Sequence, residues 1–349
     1  MSDKEQEKHK KFDVIIGNPP YQEETAGDNH QAKPIYNLFM DNAYSIGNIV
    51  ELITPARFLS LSGATPKKWD RKILNSSDIK IVYFNADSSQ VFSNVDIKGG
   101  VVVTLYKKGA GFKPIRVFIP QPELQQIYQK VSAKTNETVS DHVYSPDSFR
   151  FTDELFDENK DLLGRTDKSH AKAVASSVFT RYPEIFSEKP FENSVGVIGR
   201  KDNQRIELYV KAKYLRDPGD LQEYKLLIPG ASGTGTFGEA LAKPIIAKPM
   251  EAHTQTFVAI AGLKTEDEAK SLFNYIKTKF FRSLLFVMKT TQNNQAKRTW
   301  SLIPWQDFGD KSDIDWTQSV PDIDQQLYKK YGLSDDEINF IETHVKEMD

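Results

Sequence analysis

Apolar positions fall into two textures along the chain. From residue 12 to about 108, strand-like and helix-like pieces alternate in the manner of an α/β unit. FDVIIG, residues 12–17, is apolar on both faces, which predicts a parallel strand covered by helices. AKPIYNLFMDNAY follows as a helix, with Pro34 near its first turn and Ile35, Leu38, Phe39 and Ala43 at helical spacing. NIVELITP, ended by Pro55, reads as a second buried strand and KKWDRKILN as a second helix; DIKIVYFN and GGVVVTLYKK close the series as strands. The predicted order is strand, helix, strand, helix, strand, strand.

From Gly109 to Lys189 the pattern is polar and mixed, and KTNETVSDHVYSPDS reads as loop. Beyond it come short strands: SVGVIG, RIELYV, KLLIP, KPIIAKP and TFVAIAG. One long helix then opens on Thr265-Glu266-Asp267-Glu268 and carries Leu272, Phe273, Ile276, Phe280, Leu284 and Met288 on one face. A second capping box, Ser334 to Glu337, starts a short C-terminal helix.

Composition narrows the possibilities. A chain of 349 residues is long enough for about two domains. With 46 basic and 48 acidic residues the net charge is −2, so any contact with nucleic acid must come from local patches. The chain has no cysteine, which excludes disulfides, thiolate metal sites and cysteine nucleophiles and suits a reducing cytosol. No apolar run reaches the roughly 18 residues of a membrane span, and MSDKEQEKHKK is a charged leader unlike a signal peptide. A soluble, intracellular protein is expected, which points to the cytoplasm.

The candidate chemistry follows FDVIIG. Asn18-Pro19-Pro20-Tyr21 would stand at the carboxyl end of a parallel strand, where α/β folds bind ligands. Two prolines remove two N–H donors and leave the turn rich in acceptors. The Asn18 side-chain oxygen and the Pro19 carbonyl could both accept from one exocyclic amino group, and Tyr21 offers a ring face for stacking. That is a site for an amine on a planar ring.

FDVIIG followed by Asn18-Pro19-Pro20-Tyr21 resembles the catalytic motif of adenine-specific, amino-methylating DNA methyltransferases. The pieces PIYNLFMDNA, ITPARFLSLSG, VFSNVDIKGGVVVTLYKK, NYIKTKFFRSLL and LYKKYGLSDDEINFIE extend the likeness to the large type IIG-like restriction-modification enzymes. The resemblance implies an α/β fold in which a partial Rossmann-like methyltransferase sheet precedes an α+β target-recognition domain. It implies residues 1–120 as the C-terminal part of a catalytic domain, 121–189 as a connecting segment and 190–349 as the recognition domain. It further implies that Asn18 and Pro19 accept from the N6 amino group of an adenine flipped out of duplex DNA, that Tyr21 stacks on that base and that Phe92 packs against it.

The cofactor implied is S-adenosylmethionine, yet its Gly-rich turn and acidic residue are missing from the expected place. Only 17 residues precede Asn18, too few for a strand–helix–strand unit of about 30. The loop PGASGTGTFG, residues 229–238, has only GEALA before the next strand, against at least about 10 residues for a parallel crossover. It is expected to be a mobile loop of the recognition region. The same omission would leave FDVIIG as an open sheet edge, which predicts a partner chain such as a second polypeptide with the cofactor-binding half, self-association, or a gene fragment.

For duplex DNA, the segment NYIKTKFFRSLLFVMKTTQNNQAKR offers the cations Lys277, Lys279, Arg282, Lys289, Lys297 and Arg298. It also offers the amides Gln292, Asn293, Asn294 and Gln295. Cations neutralise phosphates and amides pair with adenine edges. Asp147 with Glu158 and Lys160 fits a loose magnesium-nuclease pattern, but DELFDENKDLL reads as a helix where that pattern needs a hairpin. No metal site is expected. The expected function is site-specific adenine-N6 methylation that needs a partner or a missing N-terminal half for activity; the alternative is a non-catalytic DNA-recognition module or a decayed restriction-modification fragment.

Overall fold

The structure, a computed structural model, describes residues 11–23, 32–61, 64–92, 97, 99–165, 168–289 and 291–348. The charged leader 1–10 and most of the loop 93–98 lie outside the described residues. The chain forms two compact units, Met1–Pro120 and Gln121–Asp349.

In the first unit, β1 (Phe12–Gly17), α1 (Tyr36–Ile46), β2 (Gly47–Pro55), α2 (Lys67–Leu74), β3 (Ile79–Asn85) and β4 (Val101–Lys107) follow in the predicted order. They build one sheet of order β1-β2-β4-β3. β1 and β2 are parallel, and β4 runs antiparallel to both β2 and β3. Three strands therefore point one way, and the residues after β1, β2 and β3 emerge at one end of the sheet. One sheet face is covered: Val50, Leu52, Ile79 and Val102 pack with Tyr36, Met40, Ala43 and Tyr44 of α1 and with Trp69, Ile73 and Leu74 of α2.

Two expectations change here. The buried stripe of α1 is Tyr36, Met40, Ala43 and Tyr44, while Leu38 and Phe39 are exposed. Positions i, i+4, i+7 and i+8 satisfy helical spacing as well as the predicted set, so spacing alone left the phase open. β1 is not covered on both faces either. It is a sheet edge with Phe12, Val14 and Ile16 exposed at 52%, 52% and 76%, and only Ile15 turns toward the core. The open edge expected for FDVIIG is what the structure has.

The second unit opens with α3 (Pro122–Ser132), β5 (Val143–Tyr144), β6 (Arg150–Phe151), α4 (Asp153–Glu158), α5 (Lys168–Ala171) and α6 (Val178–Arg181). The strands β7 (Ser194–Lys201), β8 (Gln204–Lys211), β9 (Leu215–Arg216), β10 (Tyr224–Pro229), β11 (Ile245–Ala247), β12 (Glu251–His253) and β13 (Phe257–Leu263) follow. Last come α7 (Glu266–Lys277), α8 (Lys279–Met288), α9 (Val320–Tyr331) and α10 (Asp335–His344). The strands form a sheet β11-β10-β13-β5, a sheet β12-β7-β8 and the pair β6-β9. Residues of the segment 121–189 share a core with the later strands: Phe149, Phe151, Leu155, Phe156, Phe179 and Tyr182 pack with Val195, Val197 and Val210.

The long helix predicted from Thr265 is two helices. Thr278 adopts an extended conformation between α7 and α8, and its hydroxyl donates to the Tyr275 carbonyl (2.7 Å) and accepts from Phe281 N–H (3.1 Å). A threonine hydroxyl that bonds the local backbone competes with the helical ladder. The break is reinforced by the Asp324 carboxylate, which accepts from the Lys279 and Phe280 amides at 2.9 and 2.8 Å. Ser334 and Glu337 form the expected capping box of α10.

Candidate active site and nucleic-acid interface

The turn Asn18–Tyr21 leaves the carboxyl end of β1. Asn18 and Pro20 are exposed, and Pro19 and Tyr21 are half-buried. The turn is held from behind: the Tyr21 carbonyl accepts from Ile35 N–H at 3.1 Å, and Glu23 N–H donates to the Lys33 carbonyl at 2.9 Å. The Tyr21 ring packs against the α1-β2 core. Burial pushes its phenol up, and the nearby Asn18 side chain acts in the opposite direction. The acceptors of Asn18 and Pro19 therefore stand on a fixed backbone with solvent on one side.

The loop after β3 reaches the same end of the sheet. Its short 3-10 turn, Ser88–Gln90, is capped by Asp87, which accepts from Ser89 N–H at 3.1 Å and whose carboxyl is held low by the Ser89 hydroxyl and amide. Phe92 follows, half-buried, with its N–H donating to the Ser88 carbonyl at 2.8 Å. Arg57, exposed in the turn after β2, emerges at this end too, and sequence reasoning did not single it out. Knowing that β2 and β3 run parallel to β1 would have found it.

The loop 229–238 does not fit S-adenosylmethionine. In the glycine-rich loop 229–238 the backbone amides already hold an internal anion. The Glu239 carboxylate accepts from Thr234 N–H at 2.9 Å and Gly235 N–H at 2.7 Å, and a Cβ at Gly233 would stand 2.2 Å from Glu239 Oε1. Lys289 Nζ closes the loop from below, donating to the Ser232 and Thr291 carbonyls at 2.9 Å each. The loop expected to be mobile is thus tied by the side chains of Glu239, just after it, and Lys289, at the end of α8.

The predicted DNA-binding residues separate into two groups. Arg282, Lys289 and Asn294 are fully buried. Arg282 donates to the Glu239 and Lys277 carbonyls, and burial brings its guanidinium down to about 10. Asn294 Nδ2 donates to the Pro229 carbonyl and Ser232 Oγ at 3.0 Å each. These three hold the interior together and cannot reach a phosphate. Lys279 is paired with Glu342 at 2.6 Å, Lys277 and Arg298 are half-buried, and Asn293 and Lys297 are exposed, as are Gln292 and Gln295.

The nuclease pattern is not assembled. Glu158 is bound by Lys213 and by Tyr214 Oη (2.5 Å), which hold its carboxyl down to about 2, and Asp147 accepts from Gln255. Among the described residues no group of three or more His, Asp or Glu could hold a metal ion. No described helix is long and apolar enough to cross a membrane.

An uncharacterized adenine-specific methylase of Mycoplasma pneumoniae is 32% identical over 100 residues, covering 28% of this chain and 24% of that protein. Among solved structures, the type IIG restriction endonuclease BpuSI is 11% identical with a TM-score of 0.33, covering 95% of this chain and 52% of the other. The type IIL restriction-modification enzyme MmeI in complex with DNA is 10% identical with a TM-score of 0.35, covering 95% and 56%. Scores this low establish no shared fold. The chain spans about a quarter of the curated relative and about half of each solved chain. Residues 2–92 match the restriction-modification methylase family named for Eco57I. That match spans about a quarter of the chain and lies within the first unit.

Proposed function

We propose that this chain provides the target-base wall of a site-specific adenine-N6 DNA methyltransferase of a restriction-modification system, and that its second unit reads the DNA. The observation that carries this reading is the Asn18–Tyr21 turn, with its exposed acceptors fixed at the end where β1, β2 and β3 terminate together. An adenine flipped from the duplex would donate its two N6 hydrogens to the Asn18 side-chain oxygen and the Pro19 carbonyl. As the nitrogen turns nucleophilic it gains positive charge, and two preorganised acceptors stabilise that charge without reorganising. Tyr21 supplies a stacking face, and Phe92 packs the base from the loop after β3.

The family's methyl donor is S-adenosylmethionine, and in this reading its cradle is supplied by an N-terminal half or by a second polypeptide. Calorimetry of S-adenosylmethionine with this chain alone should give no heat of binding; clear one-to-one binding would overturn that assignment. The decisive test is methylation of adenine in duplex DNA when a candidate cofactor half is added, with the signal lost in Asn18→Ala. The competing reading is a non-catalytic recognition module or decayed fragment. Sequence-selective DNA binding that Asn18→Ala leaves unchanged, with no methylation from any added half, would establish it.

A further inference from the structure

We propose that the tip of the β7–β8 ribbon is a duplex-DNA contact of this chain, working together with the amide loop 292–295. The proposal rests on the reading of the second unit as a DNA reader. The two strands stay in register from Ser194 opposite Lys211 to Lys201 opposite Gln204. Asp202 and Asn203 form the whole turn, with φ of 50° and 60°. A two-residue turn with both φ positive matches the twist of the flanking strands and makes a stiff hairpin.

Its root is anchored. Val195, Val197 and Val210 lie in the core, and Gly199 lets β7 run so close to its neighbours that a Cβ there would stand 2.5 Å from the Phe179 ring and 2.7 Å from the Thr254 methyl group. Its tip is free: residues 200–205, Arg-Lys-Asp-Asn-Gln-Arg, are all exposed.

The three cations of this tip differ from the paired cations of the unit. Lys130, Lys172, Lys213, Lys270 and Lys330 each meet a carboxylate at 2.6 to 3.0 Å. Arg200, Lys201 and Arg205 form no ion pair among the described residues, and Arg200 stands directly opposite Arg205 in the ladder. Like charges facing across two strands destabilise them, so nothing in the fold accounts for the pair. Both guanidiniums are nonetheless positioned, Arg200 by the Asn203 carbonyl at 3.0 Å and Arg205 by the Lys243 carbonyl at 3.4 Å and the Phe257 ring at 5.9 Å.

The amide loop meets the same corner. Phe257, under Arg205, follows Thr256, whose carbonyl accepts from Gly230 N–H at 2.8 Å; the Gly230 carbonyl in turn accepts from Asn294 N–H at 2.9 Å. The Gln295 side chain lies against Gly230. The exposed Asn293, Gln295 and Lys297 therefore flank the start of β13 as the ribbon tip does. A two-stranded ribbon fits the major groove of B-DNA, cations take phosphates, and the tip amides of Asn203 and Gln204 suit adenine edges.

The test is a salt titration of the full chain on an end-labelled duplex. Arg200→Gln/Lys201→Gln/Arg205→Gln should weaken low-salt binding at least about tenfold and make the slope of log K against log salt shallower by about 2 to 3. The charge-preserving Arg200→Lys/Arg205→Lys should keep the slope, and Lys329→Gln on α9 should change nothing. A triple variant with the parent's affinity and slope overturns the hairpin contact and leaves the DNA reading standing. A parent chain that binds no DNA at low salt overturns both. Binding that single strands compete for as well as duplex overturns the groove assignment.

Discussion

In the first unit Phe12, Val14 and Ile16 stand exposed on β1, while in the second unit Lys225, Arg282, Lys289, Asp220, Asp324 and His253 are buried. Each unit inverts the usual placement of side chains, and in opposite directions. The strands make the cause plain. FDVIIG and FVAIAGL have similar apolar texture, yet β13 is buried at every position except Gly262. It has β10 and β5 on its two sides, whereas β1 has β2 on one side and no strand of the described residues on the other. Exposure is set by what packs on a strand, and the residue pattern alone does not carry that information.

The largest expected effect lies in the most closed part of the second unit. Lys225 Nζ donates to the Asp220 and Glu251 carbonyls at 2.6 and 3.1 Å and lies 3.6 Å from the Asp220 carboxylate. Burial raises the Asp220 carboxyl and lowers the Lys225 ammonium, with each group opposing the shift of the other. Lys225→Ala should cost about 3–5 kcal/mol by leaving Asp220 buried and alone, and Lys225→Ala combined with Asp220→Ala should cost less. Urea denaturation that finds the single variant milder than the double would remove the pair from the interior.

Lys289 comes next. Replacement by Met deletes charge-assisted bonds to two carbonyls and Glu239, at about 2–3 kcal/mol. The salt slope of DNA binding should stay at the parent value, because this cation neutralises Glu239 and no phosphate. A shallower slope would return Lys289 to the DNA-facing surface.

Asp324 and His253 give a pH test of the same closed interior. Burial raises Asp324 to about 7. Its folded-state value exceeds the unfolded one, so its stabilisation is full below about pH 4 and is lost as pH rises toward 7. Burial lowers His253 to about 4, with its Nδ1 donating to the Thr254 carbonyl at 3.0 Å. Here stability is lost as pH falls from about 6.5 to 4. The slopes oppose one another, each at about 1.4 kcal/mol per pH unit. Asp324→Asn should therefore gain stability with rising pH across this window, and His253→Asn should lose it. Urea midpoints that follow the parent's profile in both variants would mean that neither group titrates from the interior.

The order of elements in the first unit was legible because each strand and helix of the α/β pattern is a continuous run with its own period. The phase of α1 was not, since Leu38 and Phe39 fit a helical stripe as well as Tyr36 and Met40 do. The Asn18–Tyr21 turn was legible because two prolines after an apolar strand leave few conformations. The cations of α8 misled. Arg282 sits in a run that is apolar on nearly every side, KFFRSLLFVM, and that run predicts burial all round better than a polar face. The break at Thr278 depends on Asp324, whose two contacts there span 45 and 44 residues of sequence and are invisible to a local window. The β7–β8 ribbon could have been read from Asp202-Asn203 between two strand-like runs, with three cations at its tip.

The smallest expected effect is on β1. If the Phe12, Val14 and Ile16 face is bare, Ile16→Thr removes no packing contact and should shift the unfolding free energy by less than about 0.5 kcal/mol. Three apolar side chains in solvent on an edge strand also form a ready template for another chain, so the same substitution should reduce self-association at high concentration. The two readouts separate the possibilities. A loss of about 2 kcal/mol or more would mean that Ile16 is packed in the isolated chain and that β1 resembles β13 after all. An unchanged melt with reduced light scattering would place the apolar face of β1 on the outside of the folded unit.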